Sequence, residues 1–296
     1  MIDCAAFGGG VADFYAGYAG GPVIVRGAFS ACGMLRGLGS AEVESLFAGH
    51  ALWAFDHATL TKGEFVASEE IFSDQRRGVA RYNVVDHDAS ASPFSGHVSP
   101  PRFLSHNWFA GSGPEAAWHV MSVNCTVEGT MSPIHIDPYG MQGWLYLIYG
   151  RKTWRVYPRR AAPLLYDPIF GRFYNRLRDS SDLIDRYPYV DLAECWEGTV
   201  GPGELIYFPA GSPHEVLTTE ASFGLGSAVL NDFQIVESTR SWLWERSQVG
   251  EGGIDFEELL RTALPSRCFD ESGRARVSEA LALCAEWSAA RAERAQ

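Results

Sequence analysis

The sequence lacks paired cysteines, runs of positive charge and long apolar stretches. Six cysteines (Cys4, Cys32, Cys125, Cys195, Cys268, Cys284) are scattered over 296 residues with no CxxC pair. In a chain of this length an even count does not imply a disulfide framework, and the cysteines read as buried or free thiols in a reducing compartment. The net charge is -12, and no basic run is undiluted by acids. The densest, Arg151, Lys152, Arg155, Arg159 and Arg160, reads as part of a strand and its exit turn. A phosphate-binding surface needs clustered cations, so no nucleic-acid partner is expected. No segment approaches the ~18 consecutive apolar residues of a membrane span. The start, MIDCAAFGGG, has neither the basic nor the apolar region of a secretory signal. These absences predict a soluble, cytoplasmic protein with no membrane partner. Internal repeats, low-complexity tracts and clear linkers are missing too.

What is present is core material. The chain is 46% hydrophobic, with 17 Phe, 12 Tyr and 9 Trp. Pro22-Val-Ile-Val-Arg-Gly27 is a short β-branched run ending in Gly, a strand signal. Ser40–Ala48 carries Val43, Leu46 and Phe47 on one helical face. Ser90–Arg102 is rich in Ser, Pro and Gly and predicts a long, substrate-facing loop. Trp118–Val127 reads as a strand. Trp144–Tyr149 and Lys152–Tyr157 read as two strands of a hairpin turning at Gly150-Arg151. Glu204–Phe208 is a strand launched by Pro202-Gly203, and Gly224–Leu230 is another strand candidate. The period then changes. Phe256, Leu259, Leu260, Ala263 and Leu264 fit one helix face, and Val277, Ala280, Leu281, Cys284 and Trp287 fit a second. A weak boundary near Gly250–Gly253 divides residues 1–250, a β-rich unit with N-terminal flanking elements, from a helical extension over 251–296. That extension is expected to pack on the β-rich unit or to form a homodimer.

His135-Ile136-Asp137 sets a histidine and a carboxylate two residues apart, which puts both side chains on one face of extended backbone. His214 lies 77 residues beyond Asp137, after the strand Glu204–Phe208 and a turn punctuated by Pro209 and Pro213. Two histidines and one carboxylate occupy one face of a non-haem Fe(II) ion and leave the opposite face open. A bare HxD is also what a turn aspartate beside a packed histidine looks like. Its context adds weight: Pro138 ends the ligand strand, and Lys152 follows on a segment that folds back toward the metal.

At two blocks the chain resembles the JmjC family of 2-oxoglutarate-dependent oxygenases, in the cupin superfamily. One block is HIDPYGMQGWLYLIYGRKTWRVYP, His135–Pro158; the other is WEGTVGPGELIYFPAGSPHEV, Trp196–Val216. The opening PVIVRGA also resembles the family's N-terminal strand, so the likeness spans Pro22–Phe233. HxD rather than HxE is closer to its hydroxylase branches. The resemblance implies a mainly β fold, a double-stranded β-helix (jelly-roll) core with flanking helices and a helical tail. It implies His135, Asp137 and His214 as catalytic iron ligands. It also implies Lys152 as the cation for the distal carboxylate of 2-oxoglutarate, Ser132 as a hydrogen-bond partner of that carboxylate, and Asn231 near the metal. Two positions depart from the family. Leu145 stands where a related branch has Asn, and Gly143 where other hydroxylases have a polar residue. Asn124 and Tyr146 are the candidates to make up those contacts.

The implied activity is hydroxylation by an Fe(II)- and 2-oxoglutarate-dependent dioxygenase, with O₂ as oxidant, of an amino-acid side chain in a protein or peptide. The alternatives are a free amino acid or small biosynthetic metabolite as substrate, or a non-catalytic cupin-like binding protein. An intact triad with Lys152 argues against the last, and no zinc-ligand cluster or reader module supports a histone-type demethylase. Among other residues, His106 and Trp108 are candidates for substrate contact. The acidic cluster Asp179, Asp182 and Asp185 reads as a solvated face, with attraction of a cationic substrate as its alternative.

Overall fold

The computed structural model describes residues 1–7, 10–56, 63–79, 82–85, 92–110, 121–175, 183–249, 256–263 and 266–294. The strands are β1 (Ile2–Asp3), β2 (Val23–Arg26), β3 (Ala51–Asp56), β4 (Gly63–Ala67), β5 (Tyr82–Val85), β6 (Ser122–Thr126), β7 (Met131–His135), β8 (Gln142–Val156), β9 (Tyr166–Asp167), β10 (Arg172–Phe173), β11 (Trp196–Val200), β12 (Glu204–Phe208) and β13 (His214–Val229). The helices are α1 (Val11–Gly17), α2 (Ser40–Phe47), α3 (Ser68–Arg77), α4 (Ala162–Leu165), α5 (Leu183–Arg186), α6 (Ile235–Val249), α7 (Phe256–Ala263) and α8 (Glu271–Arg294).

Two long strands carry the architecture. β8 has 15 residues and β13 has 16, and each runs through two layers. The first half of β8 pairs with β12 and the second half of β13; from Arg151 onward it pairs with β11 and the first half of β13. One layer therefore runs β1-β2-β12-β8-β13-β6-β5-β3-β4, and the other β11-β8-β13-β7. Every pairing is antiparallel except β1 with β2. This is a jelly-roll core with flanking helices and a helical C-terminus.

The hairpin expected at Gly150-Arg151 is instead a corner within one strand. Gly150 has φ 82, and a Cβ there would lie 2.2 Å from the Ala221 carbonyl oxygen. Only glycine lets β8 turn across β13, whose own register slips between Thr218 and Gly224. A left-handed glycine between aromatic, β-branched runs serves a barrel corner as well as a tight turn, so local sequence does not separate the two.

Side-chain alternation divides the core. On β8, Trp144 and Tyr146 face outward into a cluster with Phe14, Phe29, Phe47 and Phe103, while Leu145 and Leu147 face the interior with Trp154, Ile206 and Phe208. Burial on both faces explains why WLYLIY is a continuous apolar run. Phe94 and Val98 are buried in the outer cluster, so these two residues of the Ser90–Arg102 segment anchor it to a core, while Ser95, Gly96 and His97 between them are exposed. Both expected C-terminal helices form. Phe256, Leu260, Val277, Ala280 and Cys284 are buried against Trp108, Met141, Leu230 and Trp242. The chain's own residues thus cover these stripes, and a homodimer is not needed to bury them. Leu264 and the 250–253 boundary lie outside the described residues. Among the described residues no helix is long and apolar enough to cross a membrane. The arginines of the basic stretch pair with acids: Arg151 with Glu220, Arg155 with Glu197, Arg159 with Glu237 and Arg160 with Glu194.

Candidate active site

His135 ends β7, His214 begins β13, and the two are directly opposite in the ladder. Asp137 follows on extended backbone and leads into a helical turn, Pro138–Gly140. α6 presses on that turn: a Cβ on Gly140 would meet Ser241 Cβ at 2.5 Å and the Ser238 carbonyl at 2.8 Å. The Asp137 carboxylate oxygen Oδ1 lies 3.7 Å from His135 Nε2 and 3.8 Å from His214 Nε2. One ligand atom from each residue lies within 4.8 Å of the others.

Backbone carbonyls aim both rings. His135 Nδ1 bonds the Pro133 carbonyl at 2.8 Å and His214 Nδ1 bonds that of Ser212 at 3.0 Å. With Nδ1–H donating, each Nε2 turns its lone pair toward Asp137, the tautomer a metal requires. Burial and the neighbouring His135 hold the His214 imidazole well below its usual range, which keeps it neutral. Burial raises the Asp137 carboxyl, with His135 opposing. A partly buried carboxylate oxygen converging with two imidazole nitrogens is a donor set that fits Fe(II). An aromatic wall stands behind it. His214 packs on Phe208 at 4.3 Å and stacks on Trp154 at 5.8 Å between centroids.

The triad opens into a cavity of about 250 Å³ lined also by Ser122, Asn124, Ser132, Leu145, Lys152 and Trp154. Lys152 is 4% exposed. Its ammonium donates to Thr126 Oγ1 at 2.7 Å and Thr218 Oγ1 at 3.1 Å. Among the described residues no carboxylate pairs with it. Burial pulls its pKa down to about 7, with Cys125 opposing. The Asn124 Oδ1 atom is buried in the same cavity without a hydrogen-bond partner. A buried amine with no anion paired to it among the described residues fits a small dicarboxylate such as 2-oxoglutarate, with Lys152 and Ser132 as the groups that would hold it; the unpaired Asn124 oxygen is an acceptor and calls for a donor instead.

The structure therefore brings His135, Asp137, His214, Lys152, Ser132 and Asn124 to one cavity. It does not bring Asn231 or Tyr146 there. Asn231 accepts from Gln142 and the Phe233 backbone and donates to Tyr15 and the His106 carbonyl, which saturates its amide. It ties α1 to the end of β13. Tyr146 follows the inward Leu145 and so points to the opposite face, against Phe29 at 4.7 Å. His106 and Trp108 are also engaged elsewhere. His106 Nε2 bonds Asp232, and Trp108 donates to the Arg267 carbonyl at 2.9 Å. Asp185 is exposed, while Asp179 and Asp182 lie outside the described residues. The Gly143 departure has a steric reason: a Cβ there would lie 2.3 Å from the Phe208 ring. Sequence reasoning missed Thr126, Thr218 and Phe208. Counting by twos from His214 through Val216 finds Thr218, and its register places it opposite Lys152.

No family model matches the chain. Curated relatives do match. The arginine-specific demethylase JMJ20 of Arabidopsis thaliana is 24% identical over 119 residues, 40% of this chain and 24% of the relative. The bifunctional arginine demethylase and lysyl-hydroxylase psr-1 of Caenorhabditis elegans is 28% identical over 170 residues, 51% of this chain and 38% of the relative. The 2-oxoglutarate and iron-dependent oxygenase JMJD4 of Mus musculus is 24% identical over 140 residues, 44% of this chain and 31% of the relative. The chain thus spans well under half the length of each of these relatives. A jelly-roll core, a His-Asp-His set at its mouth and these matches make the chain a relative of the JmjC-domain Fe(II)/2-oxoglutarate oxygenases.

Proposed function

We propose that the protein is an Fe(II)- and 2-oxoglutarate-dependent dioxygenase that hydroxylates an amino-acid side chain in a protein or peptide. The observation that carries this reading is the buried Lys152, with no carboxylate paired to it among the described residues, in the same cavity as the three converging ligand atoms. When bound, iron and 2-oxoglutarate supply oxidative decarboxylation with O₂, giving succinate, CO₂ and an oxidant for a substrate C–H bond. The chain's part is ligation, orientation and exclusion of water. His135, Asp137 and His214 take one face of the ion. Lys152, with Ser132, orients the distal carboxylate. Leu145, Phe208 and Trp154 keep the chamber apolar, which strengthens the Lys152 contact relative to water.

Two features support a side chain delivered on a polypeptide over an enclosed metabolite. The cavity is of a size for the co-substrate, and the His135 side chain is 42% exposed, so the metal is approached from the surface. HxD and the hydroxylase named among the relatives support hydroxylation. The reading takes residues 1–250 as the oxygenase unit with 251–296 as its extension, in a reducing, cytoplasmic setting that suits six free thiols.

The test is anaerobic titration of Fe(II) and then 2-oxoglutarate, followed by succinate release in air against pools of peptides and of free amino acids. Stoichiometric binding of both and peptide-stimulated succinate are expected. Failure to bind 2-oxoglutarate overturns the reading, and stimulation by free amino acids alone moves it to a small-molecule substrate.

A further inference from the structure

A second, larger cavity opens at the same end of the jelly-roll as the iron site. It measures about 580 Å³ and is lined by Gly21 and Pro22 before β2, Tyr157 after β8, Trp196 at the start of β11, Ser212 before β13 and Gln234 before α6. The ladders place it relative to the metal ligands. Val156 pairs with His214 on one side and with Trp196 on the other. Directly paired residues share a face, so all three side chains form one inward row. Val156, 1% exposed, is the partition between the two ends of that row. Two strand spacings, about 10 Å, separate His214 from Trp196, a distance that an extended chain covers in about three residues. The rim beside the partition is the turn Pro209–Ser212. It is held in place, because Gly211 N–H donates to the Gly140 carbonyl at 3.0 Å and the Ser212 carbonyl accepts from His214.

The charged side chains of this lining already have partners. Arg159 pairs with Glu237 at 2.5 Å and Arg160 with Glu194 at 2.6 Å. What remains uncommitted is polar and neutral. Ser212 is 5% exposed, and its hydroxyl bonds no described residue; nor does the Gln234 carboxamide or the Trp196 indole N–H. A buried hydroxyl of this kind calls for a partner. Together the three groups offer donors and acceptors with no net charge. Their complement is a peptide backbone, in which each residue carries one N–H and one C=O. An ionic ligand would have to break an existing pair to find its counter-charge.

We infer that this cleft is an exosite for the polypeptide substrate, holding its main chain about three residues away from the side chain that lies over the metal. A chain that crosses the rim at Pro209–Ser212 sets one residue at the His135 opening and its neighbours against Ser212, Gln234 and Trp196. This rests on the proposed function and extends it: the second cavity recognises the chain that carries the reacting side chain, whatever that side chain is.

The probes are random-sequence peptide pools of three and of nine residues with blocked termini, and sorbitol as a small neutral molecule. Each is added under argon to the Fe(II)- and 2-oxoglutarate-loaded protein. The charge-transfer band of the loaded site reports on the iron mouth. Cys195, exposed and in the cleft lining, reports on the cleft through its alkylation rate, followed by mass spectrometry. The nine-residue pool should shift the band at a concentration about tenfold below that of the three-residue pool, the scale of two or three neutral hydrogen bonds less the cost of ordering the chain. It should slow Cys195 alkylation over the same range. Gln234→Ala should cut the advantage to about threefold or less, since one of those bonds is worth several-fold. Trp196→Phe, which removes only the indole N–H, should cut it in part, and normal formation of the 2-oxoglutarate band certifies that each variant is folded. Equal responses to the two pools, or a shifted band with Cys195 unprotected, overturn the inference. So do Gln234→Ala and Trp196→Phe proteins that both keep the full advantage. Protection of Cys195 by sorbitol and by neither pool overturns it as well and assigns the cleft to a small neutral metabolite. A wild type that forms no 2-oxoglutarate band refutes the proposed function instead.

Discussion

Replacing Lys152 with methionine should move stability and co-substrate affinity in opposite directions. The free protein holds this amine at about 7 against an ordinary 10.5, because burial disfavours its charged form. Between those values the folded chain binds fewer protons than the unfolded one. The penalty is therefore full below pH 7 and relieved as pH rises toward 10.5. At roughly 1.4 kcal/mol per pH unit it amounts to at most about 4–5 kcal/mol. Methionine removes it at similar volume, and Thr126 and Thr218 keep a partner in each other at 3.0 Å. Metal-free Lys152→Met should be more stable than the wild type by about 1–3 kcal/mol at pH 7, measured by urea denaturation, with the difference shrinking as pH rises.

Co-substrate binding carries the other sign. Without Lys152 the distal carboxylate is buried unpaired, a loss of roughly 2–5 kcal/mol, or at least tens-fold in affinity. Titration of 2-oxoglutarate into the Fe(II)-loaded variant under argon reads this directly. In the wild type, binding must reprotonate Lys152 once pH exceeds about 7, so affinity should fall by up to about tenfold per pH unit above it. That slope should vanish in Lys152→Met. A variant with wild-type affinity, or a wild type with no such slope, would show that another group holds the co-substrate.

Asp137→Ala leaves two histidines for the ion, so iron content after dialysis should drop severalfold or more; retained iron would sink the ligand assignment. Gly150→Ala puts a Cβ 2.2 Å from a carbonyl oxygen at φ 82. A loss of about 3 kcal/mol or more in chemical denaturation is expected, and an unchanged midpoint would mean that β8 does not turn there. A chain ending at Val249 uncovers Trp108, Met141 and Trp242; aggregation or a lowered melting temperature should follow, and an equally stable soluble monomer would show that α7 and α8 cover nothing essential.

What the sequence made legible follows from how far apart the cooperating residues lie. His135 and Asp137 share a face at separation two, and periodicity alone pairs them. Lys152 and Thr218 are also neighbours, but across a ladder of 66 residues' separation, and that register was set by a corner at Gly150 that looks locally like a hairpin. The tail's two stripes were legible because helical periodicity is local. The face they cover was not, since it joins Trp108 from before β6 with Trp242 on α6. Asn231 and Tyr146 show the limit of carrying a position over by spacing. Parity turns Tyr146 outward, and Tyr15 and Gln142, far away in the chain, use up the Asn231 amide.

The choice of cation at the cavity floor has a physical reason. Of the 24 basic residues only Lys62 and Lys152 are lysines; elsewhere the chain uses arginine, including all four surface partners along the basic stretch. A guanidinium stays charged at any physiological pH, so at a position with no carboxylate paired to it among the described residues it would carry most of its desolvation cost whenever the co-substrate is absent. An amine can shed its proton near pH 7 and take it back when a dianion arrives. The free site is thereby relieved of an unpaired charge, and affinity for the anion becomes coupled to proton uptake. Lys152→Arg should then bind 2-oxoglutarate without the pH slope and fold less stably than the wild type when empty. A stable arginine variant that keeps the slope would mean that the proton is taken up somewhere else.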